Sequence, residues 1–352
     1  MKTGKTLTQL AMEVERIENS KKDYRAPTTK LSFEGSQVAL ALPDGKETFT
    51  PNANFHAQVA ARLKIPKIYY DRMLSETPEL LAENVNHWFA ANPEKRMVRT
   101  LDGTARAFLS DKYRTLDHYD LLHATIPVLQ EMPNVRVMSS EVTEKHMYLK
   151  VIFPDMETEV KGSKQVGDLV QAGLVISNSE IGHGSLKVEP LIYRLICTNG
   201  MTRNSSMKKY HVGKGNGTNF EDIQEMLTDN TKRLTDQAFW LQVQDIIRHS
   251  VNRDIFQNEV DRLSEATQVY IGNDDIVQVV KNTCASFQIG LDDERRMLTS
   301  LIQSNDFSKF GLANAVTNIA NEHDSYEIAT DLERIGGKII DLLPGQWKDL
   351  TA

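Results

Sequence analysis

The chain has 352 residues, 41 Lys and Arg against 48 Asp and Glu, a formal net charge of −7, and hydrophobic and charged fractions of 40% and 25%. These are the proportions of a soluble globular protein, with length for one large core or two ordinary ones. No apolar run approaches the ~20 residues that cross a bilayer, the charged stretch 1–20 is not a secretory signal, and Cys197 and Cys284 are too few for a disulfide scaffold or a four-cysteine zinc site. A cytoplasmic location is the expectation.

Leu7, Leu10, Val14 and Ile17 recur at helical spacing over the first twenty residues. Gln37–Leu42, the turn residues Pro43-Asp44-Gly45, and Lys46–Thr50 read as a hairpin, with Thr50 as the cap of the next helix and Pro51 in its first turn. Phe55–Leu63, Tyr69–Leu74 and Pro78–Ala91 follow as helices. The first two have the size of a DNA-reading pair, but the second of them lacks a cluster of Arg, Asn or Gln, and the unit is assigned to packing. A second Asp-Gly turn, Asp102-Gly103, joins strands Met97–Leu101 and Thr104–Leu109, and Asp117 opens a helix through Leu129.

From Val135 to Cys197 the pattern is strand-rich: Val135–Ser139, His146–Phe153, Leu169–Asn178 and Ser185–Cys197. The last two form a long ribbon, and apolar residues on both sides of Ser185–Cys197 predict a strand covered on both faces. Residues 213–217, Gly-Lys-Gly-Asn-Gly, read as a flexible joint. Beyond it Phe220 to Leu263 is one long helix or two nearly collinear ones. Helices 275–287, 292–303 and 312–321 come next, then a 4-3-4-3 seam of Ile328, Leu332, Ile335, Ile339 and Leu342 that can serve the core or a partner subunit. The predicted class is α+β: hairpins and an antiparallel sheet of three or four strands in a domain 1–214, then a helical region 215–352 packed on or beside it.

Charge is uneven along this plan. Residues 1–214 carry 29 Lys and Arg against 25 Asp and Glu, whereas residues 215–352 carry 12 against 23. The two parts therefore face different partners or face each other. Lys187–Lys214 is the most basic stretch, with Arg194, Arg203, Lys208, Lys209 and Lys214 in it, Tyr193, Tyr210 and His211 interleaved, and Glu189 its one acid. A second group holds Arg99, Arg106, Lys112 and Arg114. Cations that track a backbone, with aromatic rings on which bases stack, are what single-stranded nucleic acid requires. The plainer reading is a set of ordinary surface lysines and arginines. Cys197 with His183 or His211 is a possible thiolate pair, but on an apolar strand a buried thiol behaves as a small hydrophobe. Glu180 and His183, and His118 and His123 near Asp117 and Asp120, lack the spacing of a zinc site. No cofactor or metal is expected.

The strand end Ser177-Asn-Ser-Glu-Ile-Gly-His-Gly-Ser185, followed by Tyr193-Arg-Leu-Ile-Cys-Thr-Asn-Gly-Met201, resembles the phage/plasmid-like protein family, a domain of unknown function (932). Arg106–Arg114 and Gly311–Ala320 extend the likeness, which runs from about residue 55 to the C-terminus. The resemblance implies a phage or plasmid origin and supplies no catalytic residues. With the basic, aromatic stretches it leads to a single-stranded-DNA-binding protein of recombination or annealing, without chemistry of its own. The alternative is a non-enzymatic interaction protein that sets its acidic helices against a host defence factor.

Overall fold

The computed structural model describes residues 1–203, 229–272 and 276–352, with side chains from residue 234 onward in the middle stretch. The fold is α+β, with two sheets built before residue 203 and helices after it. The smaller unit is a six-stranded sheet in the order β1 (Lys22–Pro27), β5 (Lys95–Leu101), β6 (Thr104–Ser110), β4 (Gly45–Pro51), β3 (Gln37–Leu42), β2 (Leu31–Glu34). Its pairings are antiparallel except β4 with β6, which run parallel at Thr50↔Thr104 and Pro51↔Ala105. Helices α2 (Ala53–Leu63), α3 (Lys67–Glu76) and α4 (Pro78–Ala91) close one face, where Phe33, Phe55, Tyr70, Val85, Phe89 and Phe108 form the core. Packing is thus what α2 and α3 do.

The two Asp-Gly turns differ. Asp102 and Gly103 both sit at positive φ, 51° and 77°, which suits the right-handed twist of the flanking strands. In the first hairpin Leu42 pairs with Gly45, so Pro43 and Asp44 are the central residues. The proline ring holds φ negative, and a turn with two left-handed residues is closed to it. The cap of α2 is Asn52, not Thr50. Its side chain accepts from the Phe55 N–H at 2.9 Å, while Thr50 and Pro51 stay in the sheet.

The larger unit is antiparallel, in the order β11 (Asn199–Thr202), β10 (Lys187–Arg194), β9 (Leu169–Asn178), β8 (Met147–Glu159), β7 (Arg136–Val142). Strand alternation divides its side chains. Leu149, Val151, Leu174, Ile176 and Ile192 enter the main core, while Ile152, Val175, Leu191 and Tyr193 cluster on the other face. β10 is therefore interior and covered on both sides. It ends at Arg194, so Leu195, Ile196 and Cys197 lie in the following turn and not on the strand.

The main core also takes in α1 (Leu7–Ser20), α5 (His118–Glu131) and the later helices α6 (Asp229–Ser250), α7 (Arg253–Ala266), α8 (Ile276–Phe287), α9 (Leu291–Ser304), α10 (Lys309–Glu322), α11 (Tyr326–Ile340) and α12 (Pro344–Thr351). The chain enters this core with α1, leaves it to build the smaller sheet, and returns at α5. The sheet before residue 203 and the helices from residue 229 onward share one core. Asn252, whose side chain accepts from the Asp254 and Ile255 N–H groups, separates α6 from α7. The 4-3-4-3 seam serves the chain's own core through Leu332, Ile335 and Ile339.

A candidate ligand cleft between the two sheets

Four of the arginines expected to meet phosphates point inward. Arg99 is fully buried, donating from Nε to Asp23 at 2.8 Å, from NH2 to Asp117 at 2.7 Å, and from NH1 to the Glu180 carbonyl at 2.9 Å. Arg194 makes a fork to both oxygens of Asp168, each at 2.6 Å. Arg203 bonds Glu259 and Asp341 at 2.6 Å and the Gly337 carbonyl at 3.0 Å. Arg106 pairs with Glu180 at 2.7 Å. Arg99, Arg194 and Arg203, with every guanidinium nitrogen engaged far from water, are held by their counter-charges and cannot also neutralise a polyanion, whereas Arg106 spends only one N–H bond on Glu180. Tyr193 is 6% exposed among Ile152, Val175 and Leu191, with no open face for a base.

The other residues expected at a nucleic-acid surface divide. Arg114 pairs with Asp236 at 2.5 Å and lies 4.8 Å from the Phe239 ring centroid. Lys112 is exposed on the segment after β6. Lys208, Lys209, Tyr210 and Lys214, with the joint 213–217 and His211, lie outside the described residues. Arg99 and Arg106 come together between the two sheets, whereas Arg194 lies at the far end of β10 and Arg203 beyond β11. They do not line one groove.

Part of the uneven charge is met within the protein. Cations of the first part meet acids of the second: Lys150 with Glu333 at 2.5 Å, both fully buried, Arg203 with Glu259 and Asp341, and Arg114 with Asp236. On the exterior of the helices, exposed Asp254, Asp261 and Asp292 are interspersed with exposed Arg253, Arg262, Arg295 and Arg296.

What the sequence marks as most unusual, the segment 177–185, is the tie between the sheets. The Asn178 amide donates to the Leu116 carbonyl at 2.7 Å, and Tyr113 Oη to the Ser179 carbonyl at 3.3 Å. From the smaller sheet's side, Gln58 Nε2 donates to the Ile181 carbonyl at 2.8 Å. Glu180 occupies the centre, accepting from Arg106 NH2 and, at 2.8 Å, from the His118 N–H that opens α5. Asp117, expected to cap that helix, makes no side-chain cap bond because Arg99 and Lys21 take its carboxylate; Glu180 does the capping instead. His118 is buried, 4% exposed.

Above Glu180, Arg106 and His118 opens a cleft of about 250 Å³, walled by the turn after β5 on one side and by Thr143, Glu144 and Lys145 of the β7–β8 turn on the other. Polar groups on its floor are shifted from their ordinary behaviour. Burial acts to raise the Glu180 carboxyl, but the Arg106 and Arg99 guanidiniums and the His118 backbone N–H hold it well below the usual carboxylate range. Burial lowers His118, which is neutral near pH 7. Asn178 Nδ2 lies 3.2 Å from His118 Nδ1, which makes Nδ1 the acceptor and leaves the proton on Nε2. A carboxylate kept ionised by arginines is a weak base. The arrangement suits holding a ligand more than moving a proton.

A thiolate pair of Cys197 with His183 finds no support in this geometry; His211, the other base considered, lies outside the described residues. Cys197 and His183 lie past opposite ends of the eight-residue strand β10, about 25 Å at the usual rise per residue. Cys284 is buried in α8, which pushes its thiol up to about 11. Among the described residues no group of three His, Cys, Asp or Glu side chains is placed to hold a metal ion, and no helix is long and apolar enough to cross a membrane. Lys145 carries no signal in the sequence, since a lone lysine in a turn makes no pattern; Glu180 is visible there, but its partner is Arg106, 74 residues away, and not His183.

No family model, no curated protein and no solved structure matches the chain. The likeness to the phage/plasmid-like family therefore rests on its own motifs.

Proposed function

We propose that this protein works by binding, without a catalysed reaction, and that its ligand is a small polar molecule held in the cleft between the two sheets. The observation that carries this reading is Arg106. It is nine-tenths buried at the cleft floor, yet its bond to Glu180 is the one side-chain hydrogen bond it makes among the described residues. Clefts between packed units, with a few convergent polar groups and perturbed titration, are where small molecules most often bind. Thermal unfolding in the presence of a mixed set of small polar compounds tests it, with Thr104→Trp as a variant whose cleft is filled. Compounds that stabilise the wild type and not the filled variant are expected; equal effects on both, or none on either, contradict it.

A second reading is single-stranded nucleic acid, in keeping with the phage/plasmid resemblance and a role in annealing. Its favouring observation is compositional: residues 204–214 contain Lys208, Lys209 and Lys214 beside Tyr210 and His211, and no acid. With Arg99, Arg194 and Arg203 engaged internally, binding would draw chiefly on these three lysines, with exposed Lys112 beside them in the candidate set. Fluorescence anisotropy with a labelled oligonucleotide should show a salt slope that falls, when the lysines are replaced by alanine, by ~0.7 for each phosphate no longer neutralised. Absence of binding at low salt, or an unchanged slope in the triple variant, removes this reading.

A further inference from the structure

We infer that the cleft selects an oxyanion, a small molecule presenting a carboxylate or phosphate group to Arg106, His118 and Lys145. This rests on the cleft reading above and adds the ligand's chemistry to it. The acceptors around the cleft already have donors. Asp102 accepts from Arg16 at 2.7 Å and from Ser20; Glu144 accepts from Asn52 Nδ2 at 2.8 Å; Glu180 accepts from Arg106 and the His118 N–H.

The donors are the groups left over. Arg106 has five N–H bonds to offer and uses one, with Nε buried and unpartnered. Arg99, Arg194 and Arg203, by contrast, each engage all three guanidinium nitrogens. His118 keeps a proton on Nε2, and that atom has no partner among the described residues. Lys145 is exposed on the cleft wall and makes no side-chain hydrogen bond or ion pair with the described residues. Arg16 donates to Asp102 and Asn52 to Glu144, so two of the three carboxylates around the cleft have donors of their own outside it. Unmatched donors of which two carry charge call for an acceptor-rich, negatively charged group, and a guanidinium with free N–H bonds matches its geometry.

The test is thermal unfolding with inorganic phosphate, succinate and neutral succinamide, at ionic strength matched with chloride, on the wild type and on Lys145→Ala and Arg106→Gln. Lys145→Ala removes an exposed side chain and keeps the fold; circular dichroism checks Arg106→Gln. Phosphate or succinate should raise the wild-type melting temperature in a saturable way, with the apparent Kd weakened about tenfold or more in Lys145→Ala and binding lost in Arg106→Gln. A response to phosphate and not succinate, or the reverse, identifies which oxyanion is held. Stabilisation by succinamide equal to succinate overturns the charge selection while leaving a ligand cleft. Anion stabilisation undiminished in both variants places the anion elsewhere and overturns the inference. No stabilisation by either anion also overturns it, and the mixed compound set then decides whether the cleft reading itself stands.

Discussion

Lys150 shows how one residue can carry opposite meanings in sequence and structure. In a strand it reads as a surface charge, yet it is fully buried against Glu333, with its Nζ 4.8 Å from the centroid of the Tyr326 ring. Burial lowers the lysine against the pull of that carboxylate. Removing one partner strands the other, so Lys150→Met should cost about 3–5 kcal/mol in urea unfolding, and the double change with Glu333→Leu should recover most of it. A double variant as unstable as the single one would show that the pair is not coupled. His56 makes a second prediction. Burial, with Lys67 nearby, pulls it down to about 4, with Asp71 opposing. Its folded pKa lies below its unfolded one, so the unfolded state binds more protons between about pH 4 and 6.5. The stability it contributes is whole above that window and is lost as pH falls through it; His118 acts in the same direction. Urea midpoints should drop from pH 7 to pH 5, and less steeply in His56→Gln. A midpoint independent of pH contradicts the assignment.

Elements are legible in the sequence where local chemistry decides them and illegible where a partner does. Helix α4, with Pro78 in its first turn, and the Asp102-Gly103 hairpin follow from residues within a few positions of each other. β1 does not show, because Lys22–Pro27 alternates poorly and becomes a strand by lying antiparallel to β5. β2 is four residues long and owes its place to β3 and to Asn86 of α4, whose side chain bonds the Phe33 N–H and carbonyl. The same limit applies to the site: the motif around Glu180 stands out, but that it joins two sheets depends on Gln58, Arg106 and Tyr113, which sequence spacing does not connect to it. α11 adds a constraint of close approach, since a Cβ at Gly337 would overlap the carbonyl oxygen of Thr202 on β11. Gly337→Ala should destabilise by about 1–3 kcal/mol by forcing helix and sheet apart. Gly345→Ala, with open space around it, should be near neutral. Equal effects of the two changes would contradict the packing described.

At the scale of the whole molecule, part of the charge division along the chain falls at an interface within the protein. Buried Lys150 and Arg203 of the first part meet Glu333, Glu259 and Asp341 of the second where the sheet receives the helices. That contact fastens the helical layer and takes two cations of the basic part away from the surface. What remains is a cleft between two sheets with unmatched donors, and a lysine-bearing segment at 204–214. The fastening is tested most directly by a double-mutant cycle between Arg203 and Glu259 in urea unfolding, using Arg203→Gln, Glu259→Gln and the pair. Coupling of about 1–3 kcal/mol is predicted for a buried, hydrogen-bonded ion pair. Strictly additive effects, with each single change costing little, would mean that these opposite charges do not hold the sheet and the helices together.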